Sequence, residues 1–571
     1  MKKTDNKKKI FIGVAWPYVN GDLHIGHLAG YLLPADISAR YFRATGNDVL
    51  MVSGSDCYGT PITVEADQKG ITPKEVANLY HEKNVHLFKD ILDLSYDLYT
   101  RTDTEHHAKI VQDFFLEFLK KGYLFIESTK QYYSEQEKRF LPDRYVIGTC
   151  KNCGFTDARS DQCDNCGKLL NQDELENPHS KLTGSQVSYK ETKHYFIDWS
   201  KLGSDIKEYV EKTGPNWKQW VLQESLGWLK QGLIPRAITR DIDWGVEIPT
   251  NDIPENLRLD EAGNKRIYVW FDAVIGYYSA SLLWSEQTGK DWKEYWYNKE
   301  SKHFYFMGKD NLIFHTLFWP GQLMVKDKDL HLPDLTSINM FLDYDGKKFS
   351  KSRGTSLGIE EMVTNFGNNA LRFYLTLNMP ETKDASFKWL DFVDKNNGIL
   401  VANLGNFIHR VLSISKDTDI SQIKDLIVSN ETKLEITKAF KLSRKYLDNC
   451  QFRDSIDAIC NLSDFGNKVL SQEKLWALKN ENPEEYLKSL KNYYAIILAL
   501  GYLLYPLLPE ASNELAKNLG LEGFRAWPEK NKEIDYISTL FGKFTHPTLP
   551  TPIFRKLAQE EVDKFLLSKE T

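Results

Sequence analysis

Apolar residues in this chain fall into short buried runs separated by helical patterns, the alternation expected of a parallel α/β sheet. Ile10–Ala15 is a continuous apolar run and reads as a first buried strand. The turn Pro17-Tyr18-Val19-Asn20-Gly21 follows, and Leu28, Tyr31, Leu32, Ala35, Ala39 and Phe42 then recur at helical spacing until Gly46. Val49–Val52 reads as a second strand ending in a turn over Ser53–Pro61, and helical patterns cover Pro73–Leu92 and His106–Lys121. From Tyr123 to Leu233 the alternation shortens and polar residues rise, as in an insertion that splits a domain, with a helix at its end over Trp217–Gly232. Arg266–Phe271 and His303–Met307 read as strands that complete the sheet. Beyond Phe366 the pattern is almost wholly helical, with one helix expected over Gly466–Lys479, and from Gly520 a proline-bearing tail suggests an extended strap folding back over other domains. The expected architecture is a doubly wound, Rossmann-type parallel sheet in residues 1–122 and 234–335. An insertion over 123–233 splits it, a connecting region covers 336–388, and an α-helical bundle covers 389–571.

Chemistry gathers at the ends of these elements. His24-Ile25-Gly26-His27 stands where a helix must begin. A strand-to-helix turn exposes free N–H groups and the positive end of the helix dipole, which favours phosphate, and two histidines add donors. Gly26 leaves room for an adenine ring against the backbone. Alone, the four residues fit ordinary loop histidines equally well. Far downstream, Asp345–Thr355 packs Lys347, Lys348, Lys351 and Arg353 among Ser350, Ser352, Gly346 and Gly354. Such a loop can close over a triphosphate with Lys351 against the leaving pyrophosphate, although by itself it also reads as a solvated linker. Together the two stretches make the linker reading poor.

Asp56 sits at the carboxyl end of the second strand, where a carboxylate can hold an ammonium group; a turn-forming Asp is the bland alternative. The aromatic turns Trp270–Tyr277 and Gly308–Trp319 can line an apolar pocket, and aromatic edges contact a thioether favourably by about 0.3 to 1.5 kcal/mol. Each of those aromatics taken singly reads as core. In the helical region Asn406 and Arg410 lie one turn apart and Trp476 follows later. Asparagine and arginine can read base edges while tryptophan stacks on an unpaired base, but a capping Asn, a surface Arg and a packed Trp fit the same spacing.

Length sets the number of cores: 571 residues divide into roughly three to five units. A hydrophobic fraction of 42% with 27% charged residues describes a globular chain. Lys-rich Met1–Lys9 leads into a buried strand rather than a signal-peptide core, and the apolar run Tyr493–Leu508 is short and broken by Pro506, so no membrane span and a cytoplasmic location are expected. A net charge of −6 argues mildly against nucleic acid, but a local basic face on an acidic enzyme is compatible with it. Of seven cysteines, Cys57, Cys450 and Cys460 are scattered. Cys150-x-x-Cys153-Gly and Cys163-x-x-Cys166-Gly form two knuckles that together make a four-sulfur tetrahedral site for one structural Zn2+ with no position left for water. Redox disulfides lack a thioredoxin-like context here.

His24-Ile25-Gly26-His27 and Lys348-Phe349-Ser350-Lys351-Ser352 resemble the HIGH and KMSKS motifs of class I aminoacyl-tRNA synthetases, with Phe349 where Met is commoner. Ala15-Trp16-Pro17-Tyr18-Val19-Asn20-Gly21, Gly59-Thr60-Pro61-Ile62, Trp270-Phe271-Asp272-Ala273, Gly308-Lys309-Asp310 and Phe314-His315, with the cysteine insertion between them, extend the resemblance over almost the whole chain to the methionine-specific family of that class. Trp16, Tyr58 and Val274 stand where Leu, His and Pro occur in some relatives, which leaves pocket shape open. The resemblance implies activation of L-methionine by ATP with Mg2+, then transfer to tRNA(Met), initiator and elongator. It implies catalytic roles for His24, His27, Lys348 and Lys351, and ATP contacts from those four with Gly26, Gly308, Asp310, Ser350 and Ser352. Ala15, Tyr18, Asp56, Trp270, Ala273, Tyr277 and His315 would form the methionine site, Asp56 taking the α-amino group and Tyr18 and His315 lying near sulfur. Asn406, Arg410 and Trp476 would contact the CAU anticodon. Residues 336–388 would then carry the KMSKS loop and contact the tRNA stem, and 389–571 would form the anticodon-binding domain. A monomer is expected.

Relatives for leucine, isoleucine and valine carry a large editing domain in the split, for which residues 123–233 leave little room, and cysteinyl relatives use an open zinc site. Another nucleotidyltransferase on the same sheet, or a tRNA-binding protein without catalysis, remains as the alternative. The first would not need the cysteine insertion or the helical tail, and the second would not need every charged residue of both motifs.

Overall fold

Five strands make the central sheet: β1 (Lys9–Val14), β2 (Asp48–Ser55), β3 (Leu98–Arg101), β4 (Lys302–Gly308) and β5 (Leu335–Asn339), of which β1, β2 and β4 are buried along nearly their whole length and the edge strand β3 is half-buried. Phe11, Ile12, Leu50, Met51, Tyr305 and Phe306 are fully buried, which is why these strands read as continuous apolar runs. All five run parallel in the order β5-β4-β1-β2-β3. From β1 the chain moves to β2 and β3, then crosses to the other side for β4 and β5. The switch between β1 and β4 opens a crevice at their carboxyl ends, the usual ligand position. The computed structural model describes residues 7–142, 145–160, 163, 165–166, 170, 175–259, 261–345, 357–543 and 552–570.

Helix α1 (residues 25–44) follows β1 and is not regular. One α-helical turn, Ile25–His27, passes into a π turn over Leu28–Leu32 and then an α-helix over Leu33–Ala44. Pro34 explains the break: it has no N–H to serve the preceding turn, while Leu33 donates to the Leu28 carbonyl instead of continuing the i−4 ladder.

The insertion is an antiparallel ribbon of Leu124–Ser134 against Ser188–Ile197, with a small three-stranded sheet of Ala158–Arg159, Val146–Cys150 and Leu175–Ser180 at its tip. It ends in helix α2 (Gln219–Gln231). Two readings change. The turn expected over Ser53–Pro61 is already helical from Thr60, in a helix Thr60–Lys69 that only Ile62 and Ala66 bury, too little to give a periodic signal. The strand expected over Arg266–Phe271 is a two-residue strand, Arg266–Ile267, in a separate antiparallel sheet, and Val269 starts a helix. An apolar, aromatic run suits either state; here its continuation to Thr288 settles it as helix.

Beyond the sheet lie α3 (Asn368–Leu377), α4 (Asn406–Ser415), α5 (Phe452–Glu473), α6 (Leu475–Glu481) and the last helix, α7 (Gln559–Glu570). The single helix expected over Gly466–Lys479 is broken at Lys474, which adopts φ 50° and ψ 55°. The break sends Leu475 into the core and leaves Trp476 47% exposed. The described tail folds back both through its non-helical residues and through α7: the Arg555 and Leu557 carbonyls accept from Asn396 and Asn397, Phe565 packs on Phe366 and Trp389, and Lys569 pairs with Glu361. Residues 544–551 of the expected strap lie outside the described residues.

Asp36 joins the sheet domain to the helical region. Its carboxylate meets Arg40 at 2.9 Å and Arg372 of α3 at 2.8 Å, and accepts from both N–H and O–H of Ser95. Burial pushes this carboxyl up, but the two guanidiniums and Ser95 outweigh it and hold it down at about 2. Burial also works against the charge on Arg372, yet a guanidinium stays protonated throughout the range where the fold survives. Because the folded value is depressed, the contribution of Asp36 is complete above the ordinary carboxylate range and lost as pH falls toward 2. Asp36→Asn should destabilise the protein by about 3 to 5 kcal/mol at neutral pH and flatten its acid-unfolding curve, as measured by denaturant titration across pH.

Candidate active site

The crevice between β1 and β4 is a cavity of about 320 Å³. His24 caps the first turn of α1, its Nδ1 accepting from the Gly26 N–H at 3.2 Å, while His27 Nδ1 accepts from the His24 N–H at 3.2 Å. The two rings stand 4.0 Å apart at the cavity wall, and Gly26 lies between them in sequence and in the lining. On the opposite rim the turn after β4 brings Gly308 and Asp310 to the same cavity. All five expected nucleotide contacts within the described residues therefore share one space.

Lys348, Ser350, Lys351 and Ser352 lie outside the described residues, but their flanks do not. Leu342, in the short strand Leu342–Tyr344 that leads into this stretch, lines the cavity. Beyond the stretch, Gly358 pairs with His24, the Ile25 N–H donates to the Leu357 carbonyl at 3.1 Å, and the Ile359 N–H donates to Leu23 at 3.4 Å. The chain on both sides of Lys348–Ser352 is thus held at the histidine turn.

Ala15, Tyr18, Asp56, Trp270, Ala273, Tyr277 and His315 also line this cavity. Asp56 is placed by backbone pairing with the first turn: its N–H donates to Pro17 at 2.9 Å and its carbonyl accepts from Val19 at 3.2 Å. Burial pushes the Asp56 carboxyl well above the usual carboxylate range, against one N–H from Tyr58. Asp272, whose two oxygens have no hydrogen-bond partner among the described residues, is buried too, and its carboxyl is raised by burial and by Asp56. Two buried carboxyl groups with no cation paired to them among the described residues make an environment that favours a positively charged guest. Asp272 carries no signal of a role in the sequence; its place is visible only once its burial is known.

The apolar end is built from rings. Trp270 stacks on Phe314 at 4.1 Å and meets Tyr18 edge-on at 6.5 Å. His315 donates from Nδ1 to the Asn311 carbonyl at 2.9 Å, which leaves Nε2 to accept from the Tyr277 hydroxyl at 2.8 Å. Burial pushes the imidazole down to about 4, against that carbonyl, so it is neutral at physiological pH. A neutral imidazole with both nitrogens hydrogen-bonded, set among rings, suits an uncharged thioether. Trp16 fits because Gly54 and Gly276 press against its ring; a Cβ on either would come within 2.6 Å of it. Tyr31, Asn311 and Met340 are also in the lining and carried no motif-level signal.

The four knuckle cysteines meet at the tip of the insertion, all sulfurs within 4.8 Å of one another. Cys150 and Cys166 are 4.0 Å apart and Cys153 and Cys163 3.6 Å, close to the ~3.8 Å edge of a tetrahedral site with metal–sulfur bonds near 2.3 Å and far from a disulfide. The donor set therefore fits a metal ion. Val146, Leu175 and their neighbours form a small core separate from the main one. Chelation should accordingly open this tip to proteolysis near residues 145–182 while the main unfolding transition moves little, and the intact chain should bind one equivalent of metal.

In the helical region the Arg410 guanidinium lies 5.7 Å from the Trp476 ring, and exposed Asn406 stands one turn earlier on α4. The three expected anticodon contacts thus come from α4 and α6 at one surface. Among the described residues no helix is long and apolar enough to cross a membrane.

Comparison with known proteins agrees with this layout. The family model described as tRNA synthetases class I (M) matches residues 10–412, and that described as the anticodon binding domain of methionyl tRNA ligase matches 427–568. The chain is 41% identical to the methionine–tRNA ligase of Dehalococcoides mccartyi strain CBDB1, over 98% of both chains. It is 38% identical to that of Thermobifida fusca, over 99% of both. In fold it is similar to Mycobacterium tuberculosis methionyl-tRNA synthetase in complex with methionyl-adenylate, with a TM-score of 0.74, 21% identity and coverage of 96% of this chain and 99% of that one. By family model and by relatives matched along their full length, the chain belongs to the methionyl-tRNA synthetase family of class I aminoacyl-tRNA synthetases.

Proposed function

We propose that the chain joins L-methionine to tRNA(Met), initiator and elongator, in two steps. The methionine carboxylate attacks the α-phosphate of ATP in line, giving methionyl-adenylate and pyrophosphate; the terminal adenosine 2′-hydroxyl of tRNA then attacks the activated carbonyl and releases AMP. The carboxylate is already ionised, so the first step needs positioning and charge stabilisation rather than a general base. His24 and His27 face the phosphates from the turn of α1, Lys348 and Lys351 approach the leaving pyrophosphate, and Gly26, Gly308, Asp310, Ser350 and Ser352 hold the nucleotide. Mg2+ bound with ATP offsets charge on the triphosphate. Asp56 takes the α-ammonium, Ala15, Trp270 and Ala273 bound the side chain, and Tyr18, Tyr277 and His315 close over sulfur.

One observation carries this reading: the backbone pairing of Gly358 with His24 brings the chain that follows the Lys348–Ser352 stretch in sequence to the histidine turn, beside a pocket with a buried carboxylate at one end and neutral rings at the other. The cysteine site holds Zn2+ as a structural ion, four thiolates leaving no position for water. Asn406, Arg410 and Trp476 read the CAU anticodon by base-edge contact and stacking. The domain limits given from sequence follow the same assignment, and the protein works in the cytoplasm as a monomer.

Methionine-dependent exchange of pyrophosphate into ATP, measured without tRNA against leucine, isoleucine, valine and cysteine, tests the proposal. Exchange with methionine alone is expected. No exchange with any amino acid would overturn the enzyme reading in favour of tRNA binding without catalysis or a different nucleotidyl transfer.

A further inference from the structure

The π turn in α1 leaves a debt of one hydrogen bond, and a lysine from the insertion settles it. Leu33 donates to Leu28 and Pro34 has no N–H, so neither serves the carbonyl of Ala29. That carbonyl, in a fully buried turn, accepts instead from Nδ2 of Asn339, the last residue of β5, at 3.1 Å. Asn339 is fully buried as well, and its Oδ1 accepts from Nζ of Lys218 at 2.7 Å. Lys218 also donates to the Ile338 carbonyl at 2.9 Å. An ammonium only donates and a carbonyl only accepts, so Lys218 fixes which way the Asn339 amide points, and hence that its N–H group meets Ala29.

This chain ends at the site. Gly30 and Tyr31 of the same π turn line the cavity beside His27, while the apolar pocket around Trp270 and His315 lies on other elements. Lys218 itself lines none of it; it is the residue before α2, at the end of the insertion, and the charged or titratable groups near its ammonium are Glu381 and Cys450.

We propose that Lys218 is a positioning residue for adenylate formation: through Asn339 it locks the π turn of α1 and so fixes the placement of the His24–His27 turn and the Gly30–Tyr31 wall against the nucleotide. The inference rests on the assignment of that turn to ATP. Losing the lock frees a buried carbonyl and loosens a wall that holds the nucleotide, not the side chain of methionine. Adenylation kcat should therefore fall while methionine KM holds.

The test is hydrogen–deuterium exchange over residues 24–34 in the full-length protein, with adenylation kinetics alongside. Lys218→Met removes the clamp. Asn339→Asp keeps Lys218 paired, and so protects the fold, but loses the N–H that meets Ala29. Uptake should rise about tenfold in each single variant and no further in the double, the non-additivity of one shared contact. In both single variants kcat for adenylation should drop about tenfold with methionine KM changed by less than about twofold. Unchanged uptake in Asn339→Asp, or additive effects in the double variant, would overturn the inference. Pyrophosphate exchange by the wild-type protein reports separately on the proposed function, so the uptake result decides the lock whichever way that assay falls.

Discussion

Replacing His24 with alanine should slow methionyl-adenylate formation by about 10² to 10³, the loss expected of one preorganised donor at developing phosphate charge, with the methionine dissociation constant nearly unchanged. The side chain has a second duty, since its Nδ1 caps the Gly26 N–H, and removing a cap costs about 1 kcal/mol of stability. His24→Asn separates the two, because asparagine is a good N-cap but has no imidazole to reach the phosphates. It should restore the unfolding midpoint and leave the rate low. Lys351→Ala should give the same 10² to 10³ fall without a capping term. Single-turnover adenylation with denaturant unfolding of each variant measures both quantities; a His24→Ala enzyme at full rate would remove the histidine turn from the mechanism.

Asp56→Asn should raise the methionine KM by about 10², equivalent to the 2 to 3 kcal/mol of a charge-assisted hydrogen bond, and leave the ATP KM alone. The pH dependence carries a definite sign. Burial holds the free-site carboxyl above its ordinary range, so acid leaves it protonated and unable to pair with an ammonium, and methionine affinity should climb as pH rises through that raised value. The variant should show no such climb. Asp272, buried with both oxygens unpartnered among the described residues, is itself raised by burial and then by Asp56. A wild-type profile that stays flat as pH rises above the ordinary carboxylate range would remove Asp56 from the ammonium site.

What could be read from the sequence follows from how local each signal is. β1, β2 and β4 announce themselves because both faces are covered and the run is unbroken. Arg266–Phe271 misleads because an aromatic run carries no period to distinguish strand from helix, and the break at Lys474 is invisible because its neighbours all suit a helix. Residues in motifs converge on one cavity, His24 with Gly308 and Asp56 with Trp270, although hundreds of positions separate them in places. Lys218 could not have been found this way. A lysine ahead of a helix looks solvated, and only the tertiary structure shows its ammonium turned onto Asn339. The π turn, by contrast, had a visible cause in Pro34.

The packing of α7 has a consequence for synthesis. The described lining of the cavity comes from residues 15–342, whereas the helix Ile359–Phe366, just beyond Gly358, is fastened from outside by Lys569 on Glu361, Arg555 on the Asn365 carbonyl and Phe565 on Phe366. Those fasteners are translated after the segment they hold. A growing polypeptide thus lays down the described lining of the cavity before the residues that brace the helix next to the segment pairing with His24.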